Sequence, residues 1–379
     1  MPILPLDLIE DILRRLPVKS LKRFRSVAKS WCFLIDSEKF VKSHLRRSLI
    51  SNSNHHLILG GLNIYSIDLG PLDKARVIKP PFSYKTVDGV TNSCNGLVLV
   101  MSEPPVLWNP FSGSYRVLPG SSLEYPPGSD YYVMVSHGFG YDSKKDDYKV
   151  LKVLEFRDQS THFPIRRGTE IYSLKSNSWK KIEDFPYSLP LIGGNSRAHV
   201  NGSFHTLVYT YENIYPVQIL AFSVETEKHY EVKLPKGNRI RNFELNLTVV
   251  GGYLGLICTS RSRVVIWVMK EYGVEESWSK LLTIRSRELV KPLVYSRDGN
   301  KVLLNCDDKR LVWYDLRKKT VEQVHVDGIP FVFYAVDCVE SLVSVGAPNE
   351  VKKQDREKKG KATMKKRDDF LSVGFNLSL

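Results

Sequence analysis

Along the first forty-five residues the apolar positions recur at helical spacing. In LIEDILRRL, Leu8, Ile9, Ile12, Leu13 and Leu16 fall along one side, while Glu10, Asp11, Arg14 and Arg15 take the other. Pro17 cannot continue this helix. Ser20 is placed to cap a second one over LKRFRSVAKSW, with Leu21, Phe24 and Val27 on one side, and Asp36 or Ser37 can start a third through Phe40, Val41 and Leu45. Helices this short and this few cannot hide all their apolar faces against one another. The surplus must meet either the chain's own larger domain or a partner.

From about His56 to Ala347 the period changes, and β-branched and aromatic runs alternate with Gly, Pro, Asn and Asp clusters, which predicts strands. One phrase recurs: an apolar-aromatic strand, a polar turn, then a second strand, as in VLWNPFSGSYRVLP, EIYSLKSNSWKKI, LAFSVETEKHYEVKLP and LVWYDLRKKTVEQV. Its central aromatics, Tyr65, Trp108, Tyr172, Phe222, Trp267 and Trp313, are separated by 43, 64, 50, 45 and 46 residues. That period suits one four-stranded propeller blade and disfavours a two-sheet sandwich. The expected fold is mainly β: short N-terminal helices, then a β-propeller of six or seven blades. The 64-residue interval holds HGFGYDSKKDDYKVLKVLEF, two strands that could form an additional or irregular blade. Repeated Trp and Tyr are expected between blades, Asn-Gly and Gly-Gly pairs at tight turns, and the pairs Asp146-Asp147, Glu275-Glu276 and Asp307-Asp308 at solvent-facing turns.

Composition changes this picture little, but charge placement does. The net charge is +14, yet Arg14 to Arg47 holds eleven Lys/Arg against two acids and Lys352 to Arg367 nine against two, so the rest is slightly negative. A nearly neutral middle is a poor phosphate-binding surface, so nucleic acid is not an expected partner. Acidic residues interrupt the place a secretory core would occupy, and the longest uncharged stretch, LNLTVVGGYLGLICTS, is short for a membrane span. Five scattered cysteines without a CxxC pair suit a reducing compartment, cytoplasm or nucleus.

No GxSxG, HExxH or phosphate loop is present, and the nine histidines form no metal cluster; His55 and His56 read as an interdomain linker. Neither catalytic residues nor a cofactor nor a metal are expected, although an active site assembled from distant loops stays open. The end of the chain alternates strictly: Leu371, Val373, Phe375, Leu377 and Leu379 against Ser372, Gly374, Asn376 and Ser378. Such alternation describes a half-buried strand that could return to the propeller on the basic linker, or else a loose tail with an import-like basic run. The chain therefore divides into helices at 1–47, propeller at 56–347, linker at 352–367 and terminal strand at 368–379.

The stretch LPLDLIEDILRRLPVKSLKRFRSVAKSW resembles the F-box, with its initial Leu-Pro, a helix, a Leu-Pro hinge and a basic helix ending in Lys-x-Trp. That resemblance implies docking to a Skp-type adaptor, and through it to a cullin-RING ubiquitin ligase, by Leu4, Pro5, Leu8, Ile12, Leu16, Pro17, Leu21, Val27 and Trp31. Ser26 stands where many plant members carry Cys. The phrases Asn95-Gly96-Leu97, Trp108-Asn109-Pro110, Gly138 to Asp142 through Asp147 to Val150, Asn201-Gly202 with His205, and Val268 to Tyr272 through Trp278 are similar to the F-box-associated domain of plant F-box proteins. The resemblance implies a non-catalytic substrate receptor of an SCF ligase. KKRDDFLSVGFNLSL and WVMKEYGVEESWSK are in turn similar to a plant F-box subfamily implied in turnover of intracellular immune receptors of the nucleotide-binding leucine-rich-repeat (NLR) class. A self-incompatibility-type receptor shares this architecture with another target, and a propeller enzyme or glycan-binding module is the alternative of a different class.

Overall fold

Asn-Gly pairs turn this chain where a strand must reverse within two residues. Asn95 and Gly96 both take positive φ (53° and 82°), as do Asn201 and Gly202 (50° and 67°), the conformation that a two-residue hairpin requires. In the computed structural model, which describes residues 5–51, 53–61, 63–83, 90–123, 126–127, 130–189, 197–210, 213–236 and 243–346, such hairpins build six four-stranded antiparallel sheets.

The first blade contributes β1 (His55–Gly60), β2 (Ile64–Asp68) and β3 (Arg76–Ile78). The second is β4 (Val90–Cys94), β5 (Leu97–Val100), β6 (Val106–Trp108) and β7 (Tyr115–Val117). The third is β8 (Tyr131–Asp142), β9 (Asp147–Asp158), β10 (Pro164–Ser173) and β11 (Ser178–Lys181). The fourth comprises β12 (Ala198–Val200), β13 (Ser203–Thr210), β14 (Asn213–Ser223) and β15 (His229–Val232), and the fifth β16 (Glu244–Val250), β17 (Tyr253–Ser260), β18 (Arg263–Met269) and β19 (Trp278–Ile284). The sixth is β20 (Val290–Tyr295), β21 (Lys301–Cys306), β22 (Arg310–Asp315) and β23 (Val321–Gln323). Then β24 (Tyr334–Val339) returns to pair with β1, from His55↔Val339 to Gly60↔Tyr334, and completes the first blade as its innermost strand. Closure joins the first and last blades into one ring and leaves only short strand edges.

The blade count is six. Each aromatic of the repeated phrase sits on the third strand of its blade: Tyr65 on β2, Trp108 on β6, Tyr172 on β10, Phe222 on β14, Trp267 on β18 and Trp313 on β22. Trp108, Tyr172 and Phe222 are fully buried, whereas Tyr65, Trp267 and Trp313 are half-buried. The long interval is no extra blade. Its two strands are β8 and β9, twelve residues each, paired from Tyr131↔Asp158 to Asp142↔Asp147. At the end of that hairpin Asp147 is buried, contrary to the expectation of a solvent-facing pair. It accepts from Ser173 Oγ (2.5 Å) and the Lys175 amide (3.0 Å), tying the two turns of the blade together.

The interior between blades is aliphatic and aromatic, in clusters that each draw on two neighbouring sheets: Leu151, Phe204 and Phe222, for example, or Leu57, Leu303 and Phe333. Where blade 3 carries charge inside, the charge is matched. Glu155, fully buried on β9, accepts from Arg157 (2.5 Å) and Arg167 (2.8 Å), and Arg157 donates to the Leu189 carbonyl (2.6 Å), which pins the loop leaving that blade. His55 and His56 are not a linker; they begin β1. Their rings meet Asp337 (2.9 Å), and Ser66 and Glu340 (both 3.0 Å), respectively. The basic linker and terminal strand expected at 352–367 and 368–379 lie outside the described residues.

Candidate docking surface at the N-terminal helices

Four helices precede the propeller: α1 (Leu6–Leu13), α2 (Val18–Phe24), α3 (Lys29–Asp36) and α4 (Glu38–Ile50). Pro17, rather than Ser20, sets the start of α2. Its φ of −60° and ψ of 151° place the helix at the next residue, and Ser20 lies inside. The expected single helix over LKRFRSVAKSW is two, because α2 stops at Phe24 and the chain is extended at Ala28 before α3. The Ser37 start is as expected, with its hydroxyl accepting from the Phe40 amide (3.3 Å).

Leu13, Leu21, Ile35 and Phe40 form a small core, with Ile9, Leu16, Phe24, Trp31 and Leu34 packed against it. A joint at its back is polar. His44 on α4 is fully buried, and its Nε2 lies 2.9 Å from the Leu16 carbonyl, fastening the α1–α2 hinge; burial pushes its pKa down, so the ring is neutral and Nε2 donates.

With those residues turned inward, others of similar apolarity are left outside. Leu8 and Ile12, one turn apart on α1, are 53% and 52% exposed, Val27 is 63% exposed and Phe33 78%. Pro5 and Pro17 are exposed as well. The residues singled out in the sequence therefore sort into three kinds. Pro5, Leu8, Ile12, Pro17 and Val27 present a surface; Leu16 and Trp31 are half-buried at its base; Leu21 is sealed in the core and acts only by supporting the others. Leu4 lies outside the described residues. Phe33 was not anticipated. Its signal was available, since Leu34 and Ile35 take the inward side of α3 and leave Phe33 pointing away.

Charges stand beside this surface. Asp11 pairs with Arg14 (3.2 Å) and Arg15 along α1, which lowers its pKa, and Arg25 meets Asp36 at 2.6 Å between α2 and α3. These pairs are solvent-exposed and contribute little to stability.

The helices are fixed to one end of the propeller, the end that carries the β4–β5, β6–β7 and β8–β9 turns. Lys42 bridges Glu38 (2.6 Å) and Asp146 (3.0 Å), and Lys22 donates to the Ser112 carbonyl (2.9 Å). Glu340, just past β24, accepts from the Val18 amide (2.8 Å). Pro17 offers no capping side chain, so an acid 322 residues away caps α2. The following residues continue the attachment: Leu342 joins the helical core, while Val343 and Val345 pack with Leu45 of α4 in the core of blades 2 and 3. Asn109 holds this strap by donating to the carbonyls of Ser341 (3.0 Å) and Val343 (2.8 Å). A cleft of about 1110 Å³ remains between α4 and the propeller turns, lined by Leu45, Leu49, Ile50, Tyr148, Leu174 and Val345 among others.

Among the described residues no group of three His, Cys, Asp or Glu could hold a metal ion. Burial pushes the Cys258 thiol up to about 12 and Cys306 to about 11, so both stay protonated. No helix among the described residues is long and apolar enough to cross a membrane.

Comparison with known proteins accords with this division. Residues 1–43 match the F-box domain and residues 63–352 the F-box associated beta propeller domain. The chain is 34% identical over its full length to F-box protein CPR1 of Arabidopsis thaliana, all of which is covered, and 31% identical to an Arabidopsis F-box/kelch-repeat protein over 79% of this chain and 85% of that one. A solved oligogalacturonate lyase in complex with manganese superposes with a TM-score of 0.42 at 10% identity, over 73% of this chain and 74% of its own.

Proposed function

We propose, from the premise that this chain belongs to the F-box proteins with an F-box-associated propeller and so serves as a substrate-recognition subunit of an SCF ubiquitin ligase, that its target class is the intracellular NLR immune receptors. Turnover of such receptors would restrain defence. The resemblance of the WVMKEYGVEESWSK segment and of the chain's last fifteen residues to a defence-related F-box subfamily supports this target. Cytoplasm and nucleus, where such receptors reside, are the proposed locations.

The observation that carries the receptor mechanism is the outward apolar face of α1, Leu8 and Ile12, standing on a closed helical core. Those residues, with Pro5, Pro17 and Val27, are the proposed contact for the Skp-type adaptor. No catalytic residue of this chain is invoked. A target held near the charged conjugating enzyme reacts because its lysines are at high effective concentration.

Two measurements test this reading in order. On size exclusion, the full chain should co-elute with a Skp-type adaptor and a version lacking residues 1–45 should not. In plant cells, loss of the protein should lengthen the half-life of an NLR receptor that it co-precipitates. If both versions ran apart from the adaptor, the docking residues would be misassigned; if adaptor binding held while every bound NLR kept its half-life, the target class would be wrong.

A further inference from the structure

The helices occupy one end of the propeller. At the other end β24 begins, and six residues of strand place its start about 20 Å from Glu340 and the helical attachment. Here the chain shows its most exposed aromatic side chain among the described residues. Phe331 is 83% exposed, with Val332 (46%) and Tyr334 (51%) beside it. Monomer surfaces carry isolated apolar residues routinely, but three in four consecutive positions on one rigid loop are a different matter.

The loop is rigid because its fourth member is anchored. Phe333 is fully buried in the core between blades 6 and 1, its amide donates to the Asp308 carbonyl (2.8 Å), and Tyr334 is already in register with Gly60. Side chains held in this way lose little freedom on contact, which is what a binding hot spot needs.

Cations surround the patch. Lys309 lies 5.7 Å from the Phe331 ring and Lys291 5.7 Å from the Tyr334 ring. The acids of blade 6 at this end are already engaged: Glu288 by Arg310, Asp308 by Lys291 (3.1 Å), and Asp307 by the Leu289 amide (2.7 Å). Arg285 and Arg287, in the loop between β19 and β20, and Arg261 and Arg263, at the β17–β18 turn, are exposed and add further positive charge at this end. The chain as a whole places its excess charge at its two termini, so this local surplus in the neutral middle belongs to the patch.

We infer that the Phe331–Val332–Tyr334 patch is where the propeller grips its target, and that the recognised element is a protein segment with an aromatic or leucine anchor flanked by Asp and Glu. This rests on the substrate-receptor reading and adds to it the location and chemistry of the grip. Apolar contact with the three side chains supplies the anchor, and Lys291, Lys309 and the neighbouring arginines fix direction and speed encounter.

The probe is a phage-displayed library of random dodecapeptides panned on the immobilised full chain, with no adaptor present, so that the result is independent of F-box docking. Enriched peptides should carry an aromatic or leucine flanked by acids, and a synthetic representative should bind tenfold or more weakly to Phe331→Ser and to Lys309→Glu, and weaken in 0.5 M salt. Both positions are exposed, and unchanged melting temperatures will show that the fold is intact. The proposal is overturned if no peptide is enriched, if the enriched peptides lack acidic bias, or if both variants bind them as tightly as the parent chain. Retention of single-stranded RNA or phosphatidylserine vesicles by the parent chain but not by Lys309→Glu, without peptide enrichment, would likewise overturn it and reassign the basic surface.

Discussion

Leu8 and Ile12 offer the sharpest separation of binding from folding in this chain. Burying a whole Leu or Ile side chain is worth about 1.5–3 kcal/mol, and each of these is already about half covered by its own protein. An adaptor that covers the rest gains about 0.8–1.5 kcal/mol from each, so the double replacement Leu8→Ala/Ile12→Ala should weaken binding by roughly ten- to a hundredfold. Because neither side chain belongs to the helical core, the melting temperature should move by little. Leu21→Ala is the contrasting control: it removes a fully buried side chain from the core and should cost about 2–5 kcal/mol of local stability. Calorimetric titration of purified Skp-type adaptor into each variant, alongside thermal unfolding, gives both numbers. An unchanged Kd in a folded Leu8→Ala/Ile12→Ala chain would refute the assignment of this face.

Other predictions follow from the packing. Asn109→Ala strands the Ser341 and Val343 carbonyls in the interior and should cost about 2–4 kcal/mol, read as a lower denaturation midpoint and faster proteolysis at the 340–346 strap. Gly96→Ala would set a methyl 2.3 Å from Ser341 Oγ and 2.6 Å from the Val339 carbonyl at a φ of +82°, so a loss of about 3 kcal/mol or more is expected and a neutral result would contradict the packing at the closing strand. Acid should destabilise the propeller, because burial lowers His137 to about 3 and His205, which is within hydrogen-bonding distance of the Ala198 carbonyl and the Tyr272 hydroxyl, to about 4. The unfolded chain takes up protons below about pH 6.5 that the folded chain refuses, so stability is full above that pH and falls from there toward pH 4, by up to about 1.4 kcal/mol per unit for each ring. Urea midpoints at pH 7, 6 and 5 check the slope, and a flat profile would count against neutral buried rings.

The repeat was legible because each blade carries an aromatic at a matching place on its third strand, so six aromatics fall into register along the sequence. What misled was length. A hairpin of twelve-residue strands stretches one interval to 64 residues, and spacing alone cannot distinguish long strands from an extra pair. In the helical segment the apolar positions gave the helices, but the division into inward and outward residues depends on how they cross. Leu21 and Val27 look alike in sequence, yet one is sealed and the other exposed. The attachment of the helices to the propeller left no trace at all, since it joins Val18 to Glu340 and Leu45 to Val343. Pairing of the two blade-forming ends, likewise, is invisible to any local pattern.

The few residues from Tyr334 to Val345 do three jobs that are physically one. As β24 they close the ring on β1; through Glu340 and Leu342 they cap α2 and fill the helical core; through Val343 and Val345 they seat α4 on blades 2 and 3. Opening the ring therefore removes the support of the helices, and detaching the helices exposes the strap that closes the ring. Helices and propeller are thereby coupled in stability and are not two separate domains joined by a free linker. For a receptor that works by proximity this coupling matters. A target held at the far end of the propeller is presented at a fixed distance and angle from the adaptor face, so the effective concentration of its lysines is set by a rigid body rather than averaged over a tether.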